Sequence, residues 1–543
     1  MALTKDHFTI LSENRVLIAL PFTTKLYLKG KVQVESIFKN SLEIFGAKFN
    51  GQSEFPIDVF SPKGYSLLYF EAIQDDSQST TNKSTDKKEQ KILKKYQTEF
   101  PNSTLFILSK MTSQSWTDYV EDLLKYSDSK KHKMALFGKE KWIKDDPKVP
   151  ERIEDILDIS LFIPEEFQVT KARLLNKNPQ WETALQSVKI AQDNGKHAKL
   201  IGTGGKGVGK STTLKYLSNQ FLAFGPILWI DLDPGQAEFT LPGCLSVTLL
   251  KKPLLGPNFT HLNRQVLFSV YLGSVNVSDV LHRYRKGLEE IVRYLGDKYL
   301  DIPWIINTMG FNRGLGLTLL KETIQLFQPT TLIEIQSRHA KKNYEVNLAQ
   351  FLTSGNYLAF QAMPEDTDKE MNTNETWGIP EAYKLRDIVI LGHLAKSQLL
   401  TKIPYSIKFQ DLKVQVVHCN VPRQVELVLN TALVSLGYSN DAKSVVDKHV
   451  VMPSQGFGIV RAVDQERQLF YILTDLPPEQ LEKVNCVTAG AIFLPNGVFT
   501  SKVKNKIRDT PYVQEKPVLE TPLNVPWQRS GKPRLAEFQS KNK

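Results

Sequence analysis

Apolar residues along the 543-residue chain recur with a period of two near both ends and a period nearer 3.6 in the middle. Residues 15–20 form an apolar run, and 25–34, 41–49 and 65–72 alternate or run apolar in the manner of strands. From about 179 the pattern changes. A helix is expected over 179–194. Buried strands are expected at 198–203, 226–231, 264–272, 303–308 and 330–336, with helices at 279–295 and 315–327 between them. Strands and helices alternating at this spacing predict an α/β unit, a mostly parallel sheet covered by helices on both faces. After 400 the period returns to two at 413–418, 457–463 and 468–474, with residues 464–467 as a hairpin turn. The expected architecture is a central P-loop domain (166–399) between an N-terminal β-rich domain (1–165) and a C-terminal β-rich domain (400–500). Residues 501–543 form a basic extended tail with five prolines. Three polar stretches interrupt the pattern. Residues 74–90 read as a disordered insertion, 127–150 as a solvated charged loop, and 365–380 as a polar loop before a helix over 381–396.

Composition narrows the class. A hydrophobic share of 41% supports sizeable cores, so the chain is globular. The net charge of +11 suits a polyanionic partner. Three scattered cysteines give neither a disulfide framework nor a zinc spacing, and point to a reducing compartment. No run of eighteen apolar residues occurs, so no membrane span is expected.

The chemistry concentrates at the carboxyl ends of the central strands. Gly204-Gly205-Lys206-Gly207-Val208-Gly209-Lys210-Ser211, followed by Thr212, fits G-x-x-x-x-G-K-[ST] between a strand and a helix. Backbone N–H groups of such a loop converge on phosphate oxygens at a helix N-terminus. Lys210 reaches the β- and γ-phosphates of ATP, and Ser211 holds Mg²⁺. The next strand ends in Asp231-Leu232-Asp233-Pro234-Gly235-Gln236. Carboxylates there face the γ-phosphate: Asp231 nearest the metal, Asp233 placed to take a proton from an attacking hydroxyl. Thr308, Gly310 and Phe311 follow another buried strand and are candidates to touch phosphate or substrate. Lys384 and Arg386 lie on the 381–396 helix, within a lid expected near 377–396. Lys206 adds a second charge at the loop, and Trp377 or Phe311 is of a type that stacks a base. Two activities fit these residues: phosphoryl transfer to a nucleic-acid 5′-hydroxyl, or an ATP-driven switch of the partitioning or cluster-assembly type with a scaffolding role. The switch proteins carry a second lysine five residues before the main one. Lys206 lies four before Lys210, which counts against them.

Together the phosphate loop, the D-x-D-x-G-Q block, Thr308-Met309-Gly310-Phe311 and Arg386 resemble the eukaryotic polynucleotide 5′-hydroxyl kinases. The C-terminal block from Gly458 to Pro495 resembles their pre-rRNA-processing, nucleolar branch. That resemblance implies an ATP- and Mg²⁺-dependent kinase acting on the RNA 5′-hydroxyl left when a partner HEPN-type endoribonuclease cuts internal transcribed spacer 2. It implies Asp233 as base, Lys210 as phosphate-loop lysine, Thr308 as clasp and Arg386 as lid arginine, with Tyr383 or Lys384 where relatives offer a second lid arginine. Gln236, Gly310 and Phe311 would lie along the substrate, Phe311 at a position often Trp in relatives. Pro526, Trp527 and Arg529 resemble a tail segment that docks into the nuclease.

Overall fold

The structure, a computed structural model, describes residues 2–75, 87–111, 116–127, 135–167, 172–193, 197–363, 381–418, 428–495 and 498. Residues 128–134 of the charged loop, Trp377, the polar loop at 365–380, most of the expected insertion and the tail with Pro526, Trp527 and Arg529 lie outside the described residues. Lys87 to Gln90, expected to belong to that insertion, instead open a helix, Lys87–Glu99. Its Leu93 and Tyr96 are buried, and two apolar contacts three residues apart are enough to hold a lysine-rich segment against a sheet.

The N-terminal region is built on an antiparallel sheet. The 15-residue strand Lys25–Lys39 runs through it, pairing at its start with Tyr69–Ile73 and Ser160–Phe162 and further on with Ile57–Ser61 and Ser103–Lys110. Besides Lys87–Glu99, it carries the helices Trp116–Ser127 and Glu151–Leu157, which the period-two reading does not anticipate.

In the central region seven strands lie in the order Gln265–Tyr271, Cys244–Leu250, Ile227–Asp231, Trp304–Asn307, Lys199–Gly204, Thr331–Gln336, Asn356–Gln361. The last five are mutually parallel, and the first two form an antiparallel edge. The mostly parallel sheet is therefore as expected, with two corrections: the edge strand Asn356–Gln361 is absent from the period reading, and so is the interior strand Cys244–Leu250. Its Ser246 and Thr248 are as buried as Leu245 and Val247, so no polar face marks it. The parallel strands bring residues 204, 231, 307 and 335 to one edge, where ligands bind in open α/β sheets.

The C-terminal region is a mixed seven-stranded sheet in which Ser454–Asp464 and Leu469–Thr474 form the expected hairpin. Asp464 Oδ1 closes its turn by accepting from the N–H groups of Glu466 (3.1 Å) and Arg467 (3.0 Å). Among the described residues, no helix is long and apolar enough to cross a membrane.

Candidate active site

The strand Lys199–Gly204 feeds the phosphate loop, and the helix Lys210–Phe221 leaves it. Gly209 is the N-cap at φ 98°, a left-handed conformation that side chains other than hydrogen disfavour. No side chain caps this helix, so its first N–H groups and its positive dipole end face the loop. Gly205 is required for a different reason. A Cβ there would stand 2.3 Å from the Lys342 carbonyl oxygen, because a second loop lies directly on it. The Lys210 ammonium is buried and donates to the carbonyls of Gly204 and Gly205, both at 2.9 Å. Burial pushes its pKa down to about 8, against the pull of nearby Asp233.

Asp231 and Asp233 are two residues apart but differently held. Asp231 is fully buried, and both its oxygens are engaged. Oδ1 accepts from Asn307 Nδ2 (2.9 Å) and the Asp233 N–H (3.3 Å), and Oδ2 from the Glu238 N–H (2.8 Å). Burial raises its pKa to about 7, even though these donors favour the charged form. Asp233 is half-buried. Its Oδ1 accepts from the Gly235 N–H at 2.9 Å. Burial raises its pKa too, opposed first by the charge of Lys210 and also by Lys206.

Behind Asp231 lies a buried ionic cluster that sequence reading misses. The Glu238 carboxylate accepts from His261 Nδ1 at 2.7 Å and pairs with Lys215 of the phosphate-loop helix at 3.4 Å. Burial would raise Glu238, but Lys215 and His261 outweigh it and hold the carboxyl below its usual range. Burial pushes His261 down to about 4, so the imidazole is neutral and carries its proton on Nδ1. One sequence signal could have found it: Glu238 sits between the apolar residues Ala237 and Phe239, and a charge buried there requires a partner.

The remaining expected residues divide. Thr308 is buried and donates its hydroxyl to the Gly202 carbonyl at 2.7 Å, fixing the end of one strand to the carboxyl half of the loop strand. Gly310 lies against Lys206, whose Cα would be 2.8 Å from an added Cβ. Ser211 and Thr212 are half-buried at the helix start, Val208 is buried, and Lys206 and Gly207 are exposed. Arg386 is half-buried on the helix Ala382–Lys396. Burial lowers its pKa, while Asp387 and also Asp233 pull it back up, so the guanidinium and the Asp233 carboxylate sense each other. That helix packs on Trp116–Ser127 and on the 3₁₀ turn Asn258–Thr260, and Lys396 Nζ donates to the Thr260 carbonyl at 2.7 Å. Lys384 lies 6.0 Å from the ring of Tyr383 on the same helix. Phe311 (41% exposed) and Gln236 remain at the surface.

The arrangement fits a nucleoside triphosphate. The loop offers uncapped N–H donors and a buried cation hydrogen-bonded to two loop carbonyls, and Gly207 and Gly209 have open space beside them. The Asn307 Oδ1 atom next to Asp231 is buried with no hydrogen-bond partner, so the polar wall of the site is incomplete as the protein alone presents it.

A strand-loop-helix phosphate cradle, closed by carboxylates at neighbouring strand ends, defines a P-loop nucleotide-binding protein of the kinase type. Three family models match in order along the chain: the N-terminal domain of polynucleotide 5′-hydroxyl-kinase NOL9 over residues 5–162, the mRNA cleavage and polyadenylation factor CLP1 P-loop over 204–375, and the NOL9-like C-terminal domain over 401–495. The chain belongs to the polynucleotide 5′-hydroxyl-kinase family. It is 25% identical to the zebrafish polynucleotide 5′-hydroxyl-kinase NOL9, covering 92% of this chain and 75% of that protein. It is 30% identical to the human one over 57% of this chain, and spans about half (51%) of that protein's length. Among solved structures, Clp1p in a wild-type Clp1p–Pcf11p complex aligns with a TM-score of 0.53 at 13% identity, covering 89% of this chain and 99% of that one. That likeness extends the fold across all three regions.

Proposed function

We propose that this protein transfers the γ-phosphoryl group of ATP to the 5′-hydroxyl end of RNA. The observation that carries the reading is the convergence of Lys210, Asp233 and Arg386 at one edge of the sheet, in a chain whose relatives are named as kinases of that class. Asp233 has the more open carboxylate, with one backbone donor on Oδ1 and a pKa raised by burial. It takes the proton of the attacking 5′-hydroxyl as the new O–P bond forms and the bond from the γ-phosphorus to the β–γ bridging oxygen breaks, releasing ADP. Lys210 and the loop N–H groups neutralise charge on the β- and γ-phosphates, and Arg386 does so from the lid side. Ser211 and Asp231 would hold Mg²⁺, which when bound draws charge from the transferring phosphoryl group. Asp231, pinned by three N–H donors, also keeps the loop that bears Asp233 in place.

The finer reading follows the branch that the sequence resembles. The RNA is the 5′-hydroxyl product of cleavage within internal transcribed spacer 2 of pre-rRNA. The place is the nucleolus, and a HEPN-type endoribonuclease is the partner, met by the tail residues Pro526, Trp527 and Arg529. Support comes from the C-terminal block matching the NOL9-like domain and from the net charge of +11.

The test is transfer of label from γ-labelled ATP to 5′-hydroxyl RNA and DNA oligonucleotides. Wild-type protein should label the RNA, and Lys210→Ala should lower the rate by about 10³-fold, the scale of losing a preorganised charge partner. ATP hydrolysis without label on any oligonucleotide would support the switch-ATPase alternative instead.

A further inference from the structure

Ser337 to Glu345 form the loop that follows the strand Thr331–Gln336. In the fold it becomes one wall of the site. Its Lys342 carbonyl sits on Gly205, as above. Tyr344 accepts at its hydroxyl from the Gly204 N–H at 3.3 Å. Asn343 closes the neck of the loop by accepting from the Ser337 N–H (2.7 Å) and donating to the Ser337 carbonyl (2.8 Å). From the opposite wall, Asn312 donates to the carbonyls of Lys341 (3.1 Å) and Asn343 (2.7 Å). Arg313 pairs with Glu345 at 3.4 Å. The phosphate loop is therefore held between two loops stitched together over Lys206 and Gly205.

Four basic residues ride on this pinned loop: Arg338, His339, Lys341 and Lys342. Its one acidic residue, Glu345, already pairs with Arg313. Arg338, His339 and Lys341 are exposed, Lys342 is half-buried, and exposed Lys206 lies between the loops. An ordinary solvated basic run needs no such scaffolding. Here four side-chain hydrogen bonds fix the backbone that presents the cations at the mouth of a phosphoryl-transfer site.

We propose that residues 338–342, with Lys206, form a phosphate-binding track for the RNA strand just beyond its 5′-terminal nucleotide. This rests on the kinase reading above and adds to it the path of the strand behind the reacting end. Each backbone phosphate that meets a lysine releases condensed counterions, so affinity should fall with salt in proportion to the contacts made.

The test is equilibrium binding of fluorescent 5′-hydroxyl RNA of two and ten nucleotides, without ATP, across a salt series. The variants are Lys341→Gln/Lys342→Gln and, separately, Asn312→Ala, which frees the loop without removing charge. For the double variant, affinity for the ten-mer should drop about tenfold or more. The slope of log affinity against log salt should shrink by roughly 1.4, the value for two contacts on a single strand. The loss should be smaller on the dinucleotide. Asn312→Ala should weaken ten-mer binding in the same direction, with a smaller change in slope. An unchanged salt slope, or an equal loss on both lengths, would overturn the track. Because the readout is binding, it stands apart from the labelling assay. Absent phosphate transfer with a track that binds RNA would count against the kinase chemistry alone.

Discussion

The helix Lys210–Phe221 has two faces built on opposite rules. At its back, the large polar side chains Tyr216 and Asn219 are tied into the protein. Tyr216 packs against Trp181 with the rings tilted and their centroids 4.4 Å apart, and its hydroxyl reaches Glu43 at 3.3 Å. Asn219 donates to the carbonyls of Phe45 (2.8 Å) and Leu254 (3.1 Å) and accepts from the Leu254 N–H (2.7 Å). These contacts, with Leu214, Leu217 and Phe221, merge the N-terminal sheet and the central sheet into one apolar core. At its front, the helix starts without a cap, beside an exposed lysine and glycines with open space around them. The N-terminal sheet is thus a brace. Rigidity at the back lets unsatisfied donors be kept at the front, where only a ligand satisfies them.

The sharpest way to break this contrast is at the front. Asp233→Asn keeps the size of the side chain and its acceptor for the Gly235 N–H but removes the base. Single-turnover transfer should slow by about 10²–10⁴-fold, the range for one general base. ATP affinity should change by less than about tenfold, because the phosphates are held by the loop and Lys210. A variant that loses ATP binding and transfer together would assign Asp233 to nucleotide binding rather than to the proton.

The back should answer in stability, not in chemistry. Asn219→Ala leaves two buried carbonyls and one buried N–H without partners. The cost should be about 2–4 kcal/mol, from lost bonds and desolvated groups, read as an earlier first transition in denaturant unfolding. Transfer by the molecules that remain folded should match wild type. A lower turnover in that folded population would mean that the brace tunes the site rather than merely holding it.

What the sequence made legible has a common property: it is local. The phosphate loop, the Asp231–Asp233 pair and the alternating strands each lie within a few residues, so spacing alone carries them. The hidden parts depend on distant partners. Glu238 is meaningful only beside His261, 23 residues on, and Tyr344 only beside Gly204, 140 residues back. The strand Cys244–Leu250 is legible only once both of its neighbours are known, because polar and apolar side chains alike are buried. The helix Lys87–Glu99 reads as a solvated charge run until a sheet covers Leu93 and Tyr96.

The smallest expected effect is a proton. In the free protein Lys210 loses its charge as pH rises through about 8, because burial lowers its pKa from the ordinary lysine value. A bound triphosphate supplies the opposite charge that this ammonium lacks and so raises its pKa again. At pH 7 the group is charged in both states, and ATP binding should move no proton on its account. At pH 9 the free form is largely neutral and the bound form charged, so binding should take up a proton, approaching one per site. Calorimetry at pH 9 in two buffers of different ionisation enthalpy should give different apparent enthalpies in the sense of uptake. The ATP dissociation constant should rise above pH 8 with a limiting slope of about tenfold per unit. For folding the sign is opposite: the unfolded lysine keeps its proton up to about pH 10.4, so unfolding above pH 8 also takes up a proton. Stability of the ATP-free protein should therefore rise, on this group's account, between about pH 8 and 10. Proton release on ATP binding at pH 9 would place the Lys210 charge elsewhere than on the phosphates.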